Sequence, residues 1–108
     1  MKLLNQILGN QLLLDQHANS HKYPDGFWFW LQCNHHVWED FEKKSLDMAQ
    51  HRKRFSARTI VEVMRWNNDI RQKNPLFKIS NNMTPGMARL WMAKHGDKHP
   101  KFFSIQEK

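Results

Sequence analysis

Apolar residues recur at helical spacing in four stretches of this chain, with turn residues between them. Leu3, Leu4, Ile7, Leu8 and Leu12 follow the period of one helix face. They predict a short N-terminal helix within 3–14, weakened at Gly9 and Asn10, which disfavour a helix interior. It reads as an arm for self-association, which would make a homodimer. Residues 15–26 are polar and close on Tyr23-Pro24-Asp25-Gly26, a stretch with turn chemistry. They read as a loop. Phe27-Trp28-Phe29-Trp30-Leu31 is the most apolar run. It fits a short strand or the first turns of a buried helix, which periodicity alone does not separate.

From Asn34 the pattern is helical. Val37, Trp38, Phe41, Ser45 and Met48 share one stripe, with Glu39, Asp40, Glu42, Lys43 and Asp47 mostly opposite. Asn34 is a fair N-cap, acidic residues crowd the first turns, and the helix should end near Gln50. The next start signal is stronger. Ser56 is a good N-cap, and Phe55 with Ile60 forms a hydrophobic staple across it. Ile60, Val63, Met64 and Ile70 continue an apolar face to about Gln72, where Asn74-Pro75 stops the helix. Leu76-Phe77-Lys78-Ile79-Ser80 alternates like a short strand, and Asn81-Asn82 reads as a turn. A last helix starts with Thr84 as N-cap and Pro85 at its first position. Met87, Leu90 and Trp91 form its buried side, and Gly96 sits where a C′ glycine belongs. Phe102-Phe103 should pin the tail to the core.

These elements predict a mainly α fold: a compact bundle of four to five helices with one short strand or hairpin. Helix, basic turn, helix, strand and Asn-rich turn in that order is compatible with a winged-helix-like arrangement. The 108 residues leave room for one domain and one core. Residues 1–14 would be the helical arm and 97–108 a C-terminal tail. Mean hydropathy is low at −0.80, but 5 Trp, 7 Phe and 6 Met can fill an interior and argue against disorder. The single Cys33 excludes an intrachain disulfide framework and fits a reducing compartment. Asn5, Gln6, Gly9, Asn10 and Gln11 interrupt the apolar start, so the N-terminus does not read as a signal peptide. No stretch approaches membrane-spanning length. A cytoplasmic protein of a bacterial cell is expected.

Charge changes the picture. Residues 1–50 hold 4 Lys/Arg against 6 Asp/Glu, a balance of −2, and residues 51–108 hold 13 against 4, a balance of +9. The change begins at His51-Arg52-Lys53-Arg54, just before the clearest helix. A basic half on a small domain points to an anionic partner, nucleic acid first. In a winged-helix reading the helix 57–72 enters the major groove of duplex DNA. Arg58 and Arg65 lie on its exposed face, with Asn67 or Asn68 as base readers, since Asn pairs with adenine and Arg with guanine. Arg52, Lys53, Lys73 and Lys78 would meet phosphates, and Arg54 belongs to the same basic block. The bland alternative is a solvated row in which Arg58–Glu62 and Arg65–Asp69 pair along the helix.

An ordered set of short motifs accompanies this charge: Phe55-Ser56-Ala57-Arg58, Glu62, Arg65-Trp66, Phe77-Lys78-Ile79 with Asn81-Asn82, Pro85, Ala88-Arg89-Leu90 and Phe102-Phe103. In that order, over roughly residues 28–103, the chain resembles a group of small phage and prophage proteins. The resemblance implies a phage context and a compact, mainly helical domain, and it carries no catalytic residues. Gly86 and Met87 stand where such relatives are more aromatic, and the chain is less basic after its terminal Phe-Phe.

Other constellations are weaker. Cys33, His35 and His36 are close together, and His17–His21 and His95–His99 have i,i+4 spacing. Zinc sites show two compact ligand pairs, which this chain lacks, so surface or capping histidines are expected. Gly96 between His95 and His99 argues against a shared helix face. Asn34-His35-His36 with Glu39 could suggest a metal-dependent nuclease, but such a site needs several ligands converging on an ion. No P-loop, nucleophile elbow or dinucleotide fingerprint is present. The expectation is a DNA-binding regulatory or accessory protein without catalysis or cofactor. The rival is a phage-encoded inhibitor or adaptor, for example anti-defence, that docks on a host protein complex. Phe27–Leu31 reads as core rather than as a base-stacking platform. Trp66 and Trp91 are core or partner anchors.

Overall fold

The computed structural model describes residues 3–9, 12, 13, 16, 19–67 and 81–104, and in these the long apolar periods become α-helices. They are α1 (Leu4–Leu8), α2 (Phe27–Cys33), α3 (His35–Ala49), α4 (Ala57–Asn67) and α5 (Thr84–His95), with 3-10 turns at Ser20–Lys22 and Asn81–Met83. The fold is mainly helical. Among the described residues there is no strand. The strand expected at 76–80, and with it the wing, lies outside the described residues.

Phe27–Leu31 is helix rather than strand. Gly26 takes a left-handed φ of 75° and its carbonyl accepts from Trp30 N at 2.9 Å, so the turn at 23–26 feeds directly into α2. Asn34 is at once the last cap of α2 and the N-cap of α3, but its side chain serves α2: its Nδ2 donates to the Trp30 carbonyl at 2.9 Å and makes no cap bond to α3. The first turn of α3 carries no acidic residue; Glu39 and Asp40 come one turn later.

The core forms where α3, α4 and α5 pack on one another, with α2 against α3 and α1 against α2. Val37, Trp38, Phe41 and Ser45 bury the expected stripe of α3. Phe41, Leu31 and Phe27 are wholly enclosed, each contributing about 1.5–3 kcal/mol by leaving water. Trp91 is fully buried and meets Phe102 and Phe103 at ring-centroid distances of 5.0 and 5.1 Å. The tail is therefore pinned as expected, helped by Phe55 N donating to the Phe102 carbonyl at 3.0 Å. Lys101 adopts a left-handed φ of 61° just before the two rings enter the core.

Three readings are corrected. On α4 the buried face is Ile60, Val61 and Met64, whereas Val63 is 45% exposed. The helix is covered on two sides, by α3 and α5, which draws Val61 inside and leaves Val63 out. Thr84 is the first residue of α5 rather than its cap, with Met83 preceding it. Gly96 is right-handed, at φ −62°, so no left-handed cap ends α5. His95 and His99 share no helix face, as expected, since α5 ends at His95, yet both rings pack against Trp91, at 5.0 and 5.8 Å. The N-terminal segment also folds back: Leu8 is buried, and Leu4, Ile7, Leu12 and Leu13 pack against the core.

Candidate functional site

The connection between α3 and α4 is short and polar until Phe55 turns inward. Ser56 then caps α4, its Oγ accepting from Thr59 N at 3.3 Å. This geometry turns Arg54 and Arg58, on either side of the cap, into one open groove of about 1080 Å³. Other elements complete it. The 3-10 turn before α2 supplies His21 and Lys22, followed by Tyr23 and Pro24. Asn82 precedes α5, whose first two turns supply Thr84, Pro85, Ala88 and Arg89, and the tail closes the groove with Phe103 and Ser104.

Four permanent cations, Lys22, Arg54, Arg58 and Arg89, line this groove, and no Asp or Glu is among its described lining residues. The N-terminal ends of α4 and α5 both open onto it, adding the positive ends of two helix dipoles. Tyr23, Phe55, Phe103 and the two prolines give it an apolar side. Tyr23 is anchored by its hydroxyl, which donates to Gln16 Oε1. Burial pushes the Tyr23 hydroxyl's titration up, and the Arg89 guanidinium pulls against that. Tyr23 therefore enters the groove neutral, and the groove keeps its positive sign.

The predicted basic residues separate into groups. Arg54 and Arg58 come together. Arg52 and Lys53 are exposed on the same connection but do not line the groove. Arg65 lies two turns further along α4, with its Nη1 3.4 Å from Glu62 Oε1. The charged row thus pairs Glu62 with Arg65, not with Arg58, and among the described residues no carboxylate pairs with Arg54 or Arg58. Asn67 ends α4 half-buried. Asn68, Lys73 and Lys78 lie outside the described residues, as does Asp69.

Sequence reasoning missed Lys22, His21 and Arg89. The first two come from the acidic half, so counting charge by halves hid them. Arg89 had a signal: it stands one turn after Pro85, on the side of α5 that Leu90 and Trp91 leave open.

The histidine constellations resolve into pairwise contacts. His35 Nδ1 lies 3.4 Å from Glu39 Oε1, and the His35 and His36 rings meet edge to face at 5.9 Å. His95 Nε2 reaches Glu42 Oε2 at 2.8 Å. His17 lies outside the described residues. Among the described residues, no three His, Cys, Asp or Glu side chains are placed to hold a metal ion, and no helix is long and apolar enough to cross a membrane.

The aromatic candidates divide. Trp91 is core. Trp66 is 66% exposed on α4, next to exposed Val63, and Phe29 is 65% exposed on α2 while Phe27 and Leu31 are enclosed. No family model matches this chain, and no curated protein or solved structure proves similar to it.

Proposed function

We propose that the protein is a small phage-type nucleic-acid-binding factor, regulatory or accessory and without chemistry of its own, working in the bacterial cytoplasm. One observation carries this reading: four cations from three separate parts of the chain line one groove, with no Asp or Glu among its described lining residues. A polyanion laid along such a cluster is drawn by its charge and releases its own counterions on binding. Arg52 and Lys53, exposed beside the groove, extend the positive surface along the incoming backbone.

The test is an anisotropy titration of labelled oligonucleotides, both paired and unpaired, at low and at moderate salt. Binding that weakens steeply with salt supports the reading. Absence of binding to either form at low salt removes it.

A second reading has its own observation. Val63 and Trp66 stand exposed one turn apart on α4, and Trp is enriched at the energetic centres of protein interfaces. The protein would then be a phage-encoded inhibitor or adaptor of a host protein complex. A stoichiometric partner that survives nuclease treatment and is lost in Trp66→Ala would favour it.

A further inference from the structure

We infer that the groove takes an unpaired strand of nucleic acid rather than a duplex. This rests on the nucleic-acid reading and names the form of the ligand. Two features of the groove decide it. Its cations stand around a concave space: Lys22, Arg54 and Arg58 are exposed, Arg89 is half-buried, and all four line a groove of about 1080 Å³. A duplex carries its phosphates on a convex surface and is read by elements that project into its grooves. A convex duplex meets the rim of such a groove and leaves its floor unfilled, whereas a single strand can follow the floor.

The second feature is the apolar side. Phe55 is half-buried, with Pro24 half-buried and Pro85 exposed beside it. A paired and stacked base cannot reach them. An unpaired base can lie on the Phe55 ring while its flanking phosphates meet Arg54 and Arg58, the arrangement that stacking platforms in basic channels provide. The volume matches this occupant: it lies just above the about 300–1,000 Å³ that enclose one drug-sized ligand, enough for a short stretch of extended strand.

The experiment compares wild type, Phe55→Leu, Arg58→Ala and Lys43→Ala in anisotropy titrations at one low salt concentration. The probes are a labelled oligothymidine and a labelled duplex of the same length. Leu keeps apolar volume at position 55 and removes the ring face. Lys43 is exposed on α3, away from the groove. The inference expects wild type to bind the single strand at least about tenfold more tightly than the duplex, and Phe55→Leu to lose about tenfold for the single strand alone. Arg58→Ala should weaken both probes and Lys43→Ala neither. Equal or tighter binding of the duplex by wild type overturns the inference and leaves the nucleic-acid reading in place. Binding of neither probe overturns both. The wild-type ratio decides even if a variant melts early.

Discussion

Gly86 of α5 lies so close to Phe27 of α2 that a Cβ on it would fall 2.6 Å from the ring's Cδ1 and Cε1, and 3.0 Å from Cδ of Pro24. Real carbon contacts are not that short, so something must move. The Phe27 ring is fully enclosed and has nowhere to go. Gly86→Ala should therefore destabilise the fold by about 1–3 kcal/mol through overpacking, despite the better helix propensity of Ala. Thermal or urea denaturation checks this. An unchanged or raised midpoint would show that α2 and α5 are less tightly joined than the contact implies. Because Pro24 and Pro85 both line the groove, the same substitution should also weaken nucleic-acid binding.

Glu42 of α3 clasps α5. Its Oε2 lies 2.7 Å from Lys94 Nζ and 2.8 Å from His95 Nε2, and its backbone carbonyl accepts from Trp91 Nε1 at 3.4 Å. The carboxylate is mostly shielded from solvent, so it is worth more than an exposed pair. Glu42→Ala should cost about 1–2 kcal/mol, read from denaturant midpoints. Binding should survive, since none of these three side chains lines the groove.

Ser45 is fully buried on α3, and its Oγ lacks a hydrogen-bond partner among the described residues. Such a hydroxyl gives up its water and receives nothing in return. Ser45→Ala should stabilise by about 0.5–1.5 kcal/mol, combining the removed polar atom with helix propensity. A loss of stability would show that the hydroxyl has a partner.

Tyr23 links stability to alkaline pH. Its hydroxyl is held neutral by burial above its ordinary value of 10.0. As pH rises, the unfolded chain loses this proton first, so Tyr23's contribution is complete below pH 10.0 and is lost above it, toward the raised value of the folded state. Tyr23→Phe removes the bond to Gln16 and costs about 1 kcal/mol near neutrality. The stability gap between wild type and this variant should narrow as pH rises beyond 10.0. A constant gap across that range would contradict the assignment.

Local signals were the legible part of this fold. Ser56 capping α4 and the buried stripe of Val37, Trp38, Phe41 and Ser45 depend on neighbours within a turn or two, and sequence spacing reports such neighbours well. The pinned Phe102-Phe103 was readable because two large rings in a small chain need the interior. Val61 and Val63 exchanged roles because packing on two sides of α4 is tertiary information. The groove was half legible for the same reason. Arg54 and Arg58 flank one cap and could be paired by eye, whereas Lys22 and Arg89 join them only through the turn before α2 and the start of α5. Trp66 could not be placed from sequence, since its neighbours at i−3 and i−2 are exposed Val63 and buried Met64.

The most direct measurement sets charge in the groove against equal charge elsewhere. Oligonucleotide affinity is measured across a salt series for wild type, for Arg54→Ala with Arg58→Ala, and for Lys43→Ala with Lys98→Ala. A groove that seats the phosphates predicts that the first pair lowers the slope of log affinity against log salt by about 1.4 to 1.8, the release expected for two lost phosphate contacts. The second pair should leave the slope nearly unchanged. Equal effects from the two pairs would mean that net charge alone attracts the polyanion, and would contradict a built site.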